Sequence, residues 1–470
     1  KVYNNSNIDL NLNSVRLGKG LMSSFRVNID GEPDHNVQNT LIRSGDSLYI
    51  FADVTIDPNG LHQDFIEKDS IIFQYENYSQ HVKLRAWGRD AYYYSSFPDY
   101  QQHEPNSENL AIMSICDFYD CNDPSFPEEY INDSLYYYSV NQNIEWNNDK
   151  PHVIYGNLIV ENQAQLSINE GTEVYLHNNS SIIIWDGNIK AEGVLDNEIT
   201  FQSDRSDSHS LTNYDQTPGQ WSGIWILPGN TNNKLDYVKM KNGQVGIKID
   251  GLYDGEANET SLDIRNSIIY NMSNIGIFAT NSKVYGANLL IVNCGQHLLT
   301  LYRGGDYDFK HCTFVNPYPF SRQTPSILVT NYHKDANETY YYTDLKQANF
   351  GNCIIDGNIE NEILLSKQDD ADFEYLLDHC IIKSSSSFLD EMDVNWDDNT
   401  NSIIRLNNNE NCGITNFNQN DLTMSKLDFY LANQSFAIGS GSENIANEEP
   451  IDMNGWNRTL NPDIGCFEKH

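Results

Sequence analysis

Apolar and polar positions alternate in short bursts along most of the chain, and the rhythm of the bursts changes near residue 150. Before that point the alternation is clearest over Ser47–Ile56, Ser70–Tyr75 and His81–Gly88. A period of two places alternate side chains on one face, so each stretch predicts a strand with one buried side. Turn residues stand between them at Ser44–Asp46, Asp57–Gly60 and Glu76–Asn77. Several short strands at such spacing predict an immunoglobulin-like β-sandwich over residues 1–92.

Residues 93–150 lose the alternation and are rich in Tyr, Asp, Asn and Pro, which predicts an irregular connector. Cys116 and Cys121 lie within it, and in an exported protein the pair could close a small disulfide loop.

From residue 151 the bursts become a repeat. Leu158–Val160, Leu166–Ile168, Val174–Leu176, Ile182–Ile184 and Ile199–Phe201 recur between glycines at 156, 171, 187 and 193. Farther on, an apolar-x-Asn turn returns at Asn242, Asn271, Asn293 and Asn316. Two or three short strands per repeat predict one coil of a solenoid, which must stack on its neighbours to bury its apolar face. Asparagine suits the corners, because it tolerates a left-handed backbone and its amide can bond along the stack. Cys312, Cys353 and Cys380 share the form Cys-x-apolar and are expected at equivalent coil positions, as buried free thiols. His311 and His379 precede two of them, but adjacent strand residues point to opposite faces, which argues against shared metal ligation. The prediction is a parallel β-helix over 151–400. Residues 401–470 drop the rhythm and are expected to form a C-terminal cap that closes the solenoid end.

Several stretches carry a family likeness: Ile168–Tyr175, Gly219–Trp225, Gly304–Asn316, Asn352–Gly357, Ser435–Gly439 and Asp463–Glu468. Together they resemble the right-handed parallel β-helix proteins of Bacteroidetes-type cell surfaces, usually lipoproteins that end in a choice-of-anchor-like module. Cys466 stands where that family usually has a small residue, and Phe436 where a proline is common. The resemblance implies a pectate-lyase-like solenoid, export, and display at the outer-membrane surface or outside the cell. It implies membrane attachment only through a lipid anchor that these residues do not include. It transfers no catalytic residues.

Charge narrows the partners. The 470 residues hold 29 basic and 66 acidic side chains, a formal net charge of −37. Such a surface repels nucleic acid and anionic lipid. No run reaches the roughly 18 apolar residues of a membrane-spanning helix.

No nucleophile elbow, phosphate loop, zinc helix or dinucleotide fingerprint occurs. For a polysaccharide lyase the best local set is Asp306, Asp308, Lys310 and His311, with Arg303 nearby. The strand pattern turns Tyr307 and Phe309 inward and Asp308 and Lys310 outward, where an ordinary ion pair accounts for them. Asp204, Asp207 and Asp215, and Asp369, Asp370 and Asp372, are the candidate calcium ligands, although neither set has the spacing of a hand-type loop. Aromatic residues point instead to recognition: Trp221, Trp225, Tyr92, Tyr137 and Tyr341, the tyrosines lying in runs of three. A run of three on a strand must turn at least one ring away from the core, and such rings suit protein interfaces or sugar stacking. These readings predict a non-catalytic binding or scaffolding subunit, with outer-membrane β-barrel proteins and lipoproteins as the expected partners in an assembly. The alternative is a polysaccharide-active enzyme or a glycan-binding module.

Overall fold

The computed structural model describes residues 1–54, 66–87, 90–96, 110–114, 134–205, 208–209, 212–251, 259–318, 322–335, 338–385, 400–406, 410–414 and 429–469. Cys116, Cys121 and Asp207 lie outside them. The chain divides into two compact units, one of Lys1–Ala91 with Arg205–Leu211, the other of Tyr92–Asp204 with Thr212–His470.

The first unit is antiparallel. Asn36–Ile42, Leu10–Leu17, Ile66–Tyr75 and Tyr78–Trp87 form a four-stranded sheet in that order, and Phe25–Ile29 pairs with Ile50–Val54 in a second, two-stranded sheet. Glu76, with φ of 48°, makes the tight turn between the two longest strands. Val15, Leu17, Val27, Ile29 and Leu48 bury the shared apolar face.

The second unit is built from three long, mainly parallel sheets. Sheet I has 11 strands, and sheets II and III have 10 each, the outermost strand of sheet II (Leu110–Ser114) running antiparallel. Among the described strands from Tyr92 to Asp378 the chain visits the sheets in the same order in each rung. Glu173–Leu176, Ser181–Ile184 and Asn188–Glu192 make one such rung, and the next strands of each sheet pair with them in parallel register. This topology is consistent with a β-helix solenoid. Inward positions stack in columns, such as Ile182, Ile224, Ile247, Ile277, Leu299, Ile327 and Ile363 of sheet II, each 0–1% exposed. Tyr307 and Phe309 point inward as expected, and Phe309 stacks on Phe350 with ring centroids 5.5 Å apart.

The corners carry the asparagines. Asn242, Asn271 and Asn293 have φ of 65°, 56° and 59°. Asn271 Nδ2 donates to Asn242 Oδ1 (2.6 Å), and Asn293 Nδ2 to Asn271 Oδ1 (3.0 Å), which is the ladder the spacing predicts. Asn316 departs from it: its amide exchanges bonds with the Cys294 backbone instead. A second ladder, which the sequence reading missed, runs from Asp236 through Asn266 to Asn288 at the turn from sheet III to sheet I. His311, Asn352 and His379 continue that corner with φ of 50–53°, so the following Cys312, Cys353 and Cys380 do occupy equivalent positions. All three thiols are free and buried. At the entrance to sheet II glycine is needed, because a Cβ on Gly246 would lie 2.5 Å from the Gly276 carbonyl oxygen of the next rung.

Two regions differ from the sequence reading. Residues read as a connector supply the first rung: Tyr92–Ser95 in sheet I, Ser134–Val140 in sheet II and Ile144–Trp146 in sheet III. Tyr94, Tyr138, Trp146 and His152 plug the interior there, with the Trp146 and His152 rings stacked 4.5 Å apart. Aromatic rings hide the period of two because they fill the column end with bulk rather than with alternating aliphatics. The C-terminal segment, read as an end cap, lies along the side. Phe429, Leu431, Met453, Ile464 and Phe467 pack on Leu290, Val292, Val315, Ile354 and Ile381, which are the outward residues of sheet I. Those outward positions are apolar and would otherwise face water.

Candidate binding face on sheet II

Parallel register decides which outward side chains become neighbours. On sheet II it aligns Ile159, Ile183, Trp225, Lys248 and Phe278 in one outward column. Asp250, Thr280 and Tyr302 form the column beside it. Ile159 and Ile183 are buried, while Trp225, Lys248, Phe278 and Tyr302 are half-buried.

The polar groups here are held in place. Trp225 Nε1 donates to Asp250 Oδ2 at 2.6 Å, and Lys248 Nζ lies 3.8 Å from the indole centroid. Lys248 also pairs with Asp250 at 2.9 Å, so the three side chains fix one another and their charges cancel. Asn157, Asn179, Ser181 and Ser222 border a groove of about 340 Å³ whose floor includes Ile183, Trp225 and Lys248. Ser181 Oγ donates to Asn157 Oδ1 at 2.5 Å.

Aromatic contact continues down the face. Phe278 and Tyr302 have centroids 5.9 Å apart, and Tyr302 Oη lies 2.8 Å from His333 Nδ1. His333 belongs to a hairpin, Tyr332–Lys334 against Tyr340–Tyr342, inserted between the sheet II and sheet III strands of its rung. Its ring stacks on Tyr341 with centroids 6.1 Å apart.

The aromatics predicted from sequence therefore part company. Trp225 lies at the centre of the face, and Tyr341 is at its hairpin end, 37% exposed. Trp221 is a correction: it is fully buried, with Nε1 donating to the Lys241 carbonyl at 2.8 Å. Gly243 leaves the space for its ring, since a Cβ there would come within 3.1 Å of the indole. Tyr137 is a second correction, being 7% exposed among Ile159 and Ile183, and burial beside Glu161 pushes its hydroxyl up to about 12. Tyr92 is exposed on the first rung, where its hydroxyl donates to Asp149 at 2.9 Å. Phe278, Tyr302 and Lys248 were missed. Aligning Ile247-Lys-Ile-Asp250 with Ile277-Phe-Ala-Thr280 and Leu299-Thr-Leu-Tyr302 would have exposed them, because all three fill outward slots between inward residues.

The residues of the lyase alternative do not converge on a cleft. Asp306 pairs with Lys283 at 2.9 Å, and Lys310 is clamped between Asp308 (3.0 Å) and Glu448 of the C-terminal segment (2.5 Å). Burial works against the Lys310 charge, yet those two carboxylates carry it above its usual range. His311 is fully buried at a corner, and burial with the nearby Arg458 charge holds it neutral, well below the usual range. Arg303 is buried at a different corner, its Nε donating to Thr343 Oγ1 at 3.3 Å. Such a set can tie a segment down; it offers no proton-accepting lysine to a soluble substrate.

The carboxylates suggested for calcium are likewise spread out. Asp204 bonds His177 Nδ1 at 2.8 Å, and Asp215 pairs with Lys241 at 2.6 Å. Asp369 pairs loosely with Lys367 (3.7 Å), Asp370 lies against Tyr342, and the Asp372 backbone N–H donates to Asp344. Among the described residues no group of three or more His, Cys, Asp or Glu side chains could hold a metal ion. No protein-family model, curated protein or solved structure matches the chain.

Proposed function

We propose that this chain is a non-catalytic binding subunit, exported and displayed at an outer-membrane surface, with sheet II as its recognition face. In this reading the second unit is a right-handed, pectate-lyase-like β-helix, the hand that parallel crossovers almost always take. The first unit is read as an immunoglobulin-like sandwich. The surface assignment rests on the resemblance to Bacteroidetes-type lipoproteins.

One observation carries the functional part: Trp225, Lys248, Phe278 and Tyr302 stand half-buried on consecutive rungs, held in place by Asp250 and His333. A stiff solenoid can present such a face to an extended partner without ordering cost. The hairpin with Tyr340, Tyr341 and Tyr342, each 37–38% exposed, favours a contact with protein in addition. Aromatics of this kind are enriched at interfaces, and a β-barrel membrane protein or neighbouring lipoprotein is the partner proposed.

The test is isolation of the tagged full chain from its native envelope. The expected result is a co-purifying protein that is lost from a Tyr340→Ser/Tyr341→Ser/Tyr342→Ser variant. Purification of the chain alone, from several detergents, removes the assembly reading. A sugar product that forms with the native chain and disappears in Lys310→Ala would replace the non-catalytic reading with the enzymatic one.

A further inference from the structure

Backbone pairing in the first unit leaves one edge open. Its four-stranded sheet ends on Tyr78–Trp87, which pairs with Ile66–Tyr75 through ten residue pairs with no bulge or proline. Among the described residues no strand pairs with its other side. Tyr78, Ser79, Gln80, His81, Val82 and Lys83 are all exposed, Tyr78 by 73% and Val82 by 53%. An open edge of this length is a template for a further strand.

Which groups it offers follows from the register. The Ser70 carbonyl accepts from the Gly18 N–H at 2.7 Å, on the side away from Tyr78–Trp87. Ser70 and Lys83 are therefore a pair without mutual hydrogen bonds, and Lys83 turns its own N–H and C=O to the open side. By the alternation of the ladder, His81 and Ser79 do the same. The side chains of these residues stand on the outer face, opposite buried Ile71. Asn36, Arg16, Ile72 and His81 form one row across the four strands there, with Ser70 and Lys83 in the next. Neither row holds a carboxylate, and among the described residues Lys83 and His81 have no ion-pair partner. On the inner face Val82 and Tyr78 extend past the core, which Leu84 and Ala86 reach.

An incoming strand meets both faces at once. Its residues opposite His81 and Lys83 stand beside basic side chains, and the residues between them cover Val82 and Tyr78. Acidic residues alternating with apolar ones match that pattern. Residues 1–91 hold 9 basic and 12 acidic side chains, so only −3 of the chain's −37 lies here to repel them. A second copy does not match, because two-fold pairing about Val82 sets His81 against Lys83 on both sides. Lysine on an edge keeps like strands apart; here the same charge selects an acidic one.

We infer that the open edge of Tyr78–Trp87 takes up an extended segment of another protein, in which acidic and apolar residues alternate, as a fifth strand of the sheet. The inference concerns the first unit and does not depend on the reading of sheet II.

Fluorescence anisotropy of the full chain with a labelled peptide of alternating glutamate and valine tests it, against the same peptide with lysine in place of glutamate. The expected result is binding of the glutamate peptide alone. Lys83→Glu should weaken that binding about fivefold and admit the lysine peptide. His81→Pro removes a donor that faces the open side and spares the bonds to Ile66–Tyr75, so it should abolish binding. Thermal unfolding shows whether that variant folds, and where it does not, Lys83→Glu decides. Equal binding of both peptides, or of neither, overturns the inference. Binding that survives in a folded His81→Pro variant puts the peptide elsewhere and overturns it too. A dimer in sedimentation that His81→Pro abolishes would put a second copy on the edge in place of the acidic segment.

Discussion

The outer faces of sheets I and II are made from the same kind of strand and end in different circumstances. Both carry outward apolar residues, Leu290, Val292, Val315 and Ile354 on one and Ile183, Trp225 and Phe278 on the other. Sheet I is covered by the chain's own C-terminal segment, which brings a matching apolar surface and a ring of polar ties. Arg265 reaches Glu449 at 2.7 Å, Lys310 reaches Glu448 at 2.5 Å, and the Asn352 side chain bonds both Ser442 backbone groups. Sheet II keeps its aromatics half-buried beside neutral polar groups. An outward apolar residue is thus no sign of function until its cover is known; on sheet I it is structural, and on sheet II it is proposed to be recognition.

The comparison breaks most easily at Arg458. Its side chain is fully buried in the C-terminal segment, donating to the Gly465 and Cys466 carbonyls with Glu468 3.6 Å away. Arg458→Ala leaves those groups buried without their partner and should cost about 3–5 kcal/mol. Dye binding and proteolysis should then report an opened sheet I face. A smaller effect follows from cavities. Ile354→Ala, under the segment, should cost about 2–4 kcal/mol in thermal or denaturant unfolding. Phe278→Ala, on the half-exposed face, should cost clearly less. Equal losses at the two positions would mean that the faces do not differ in cover. Asn271→Ala, within the corner ladder, should cost about 1–3 kcal/mol by orphaning Asn242 Oδ1 and Asn293 Nδ2.

Acidity separates two ends of the second unit more gently. Burial lowers His152, in the aromatic plug, from 6.5 to about 4. The folded plug therefore binds fewer protons than the unfolded chain, and its stability falls as pH drops from about 6.5 towards 4. Burial, with Asp463 nearby, raises Glu468 from 4.5 to about 7. Its contribution is full below 4.5 and is lost as pH rises through 7, the opposite direction. Tryptophan emission from Trp146 should change on acidification, and protease sensitivity of residues 429–467 should grow on alkalinisation. The smallest effect is expected at Lys310→Ala, within about 1 kcal/mol because its partners are partly exposed.

Much of the second unit was legible in the sequence because its determinants are local. Alternation marks inward residues such as Ile182, Ile184, Tyr307 and Phe309, and asparagine marks corners through its tolerance of a left-handed backbone. The binding face was legible only in part. Trp221 and Trp225 are four residues apart and look alike in sequence, yet Gly243 of the next rung opens a buried slot for one, and Asp250 holds the other outside. Phe278 and Tyr302 come from different rungs, so no single segment shows that their rings meet.

By itself the sequence determined the rhythm of the rungs, the aliphatic column and the residues at the corners, since period-two burial and positive φ act within one turn of chain. Only the tertiary structure decided which outward face is covered. The ties that hold the covering segment join residues 90 to 184 positions apart, as in Asn352 with Ser442 and Arg265 with Glu449. Side-chain exposure at an outward position is set by whatever returns from that distance, and local pattern carries no information about it.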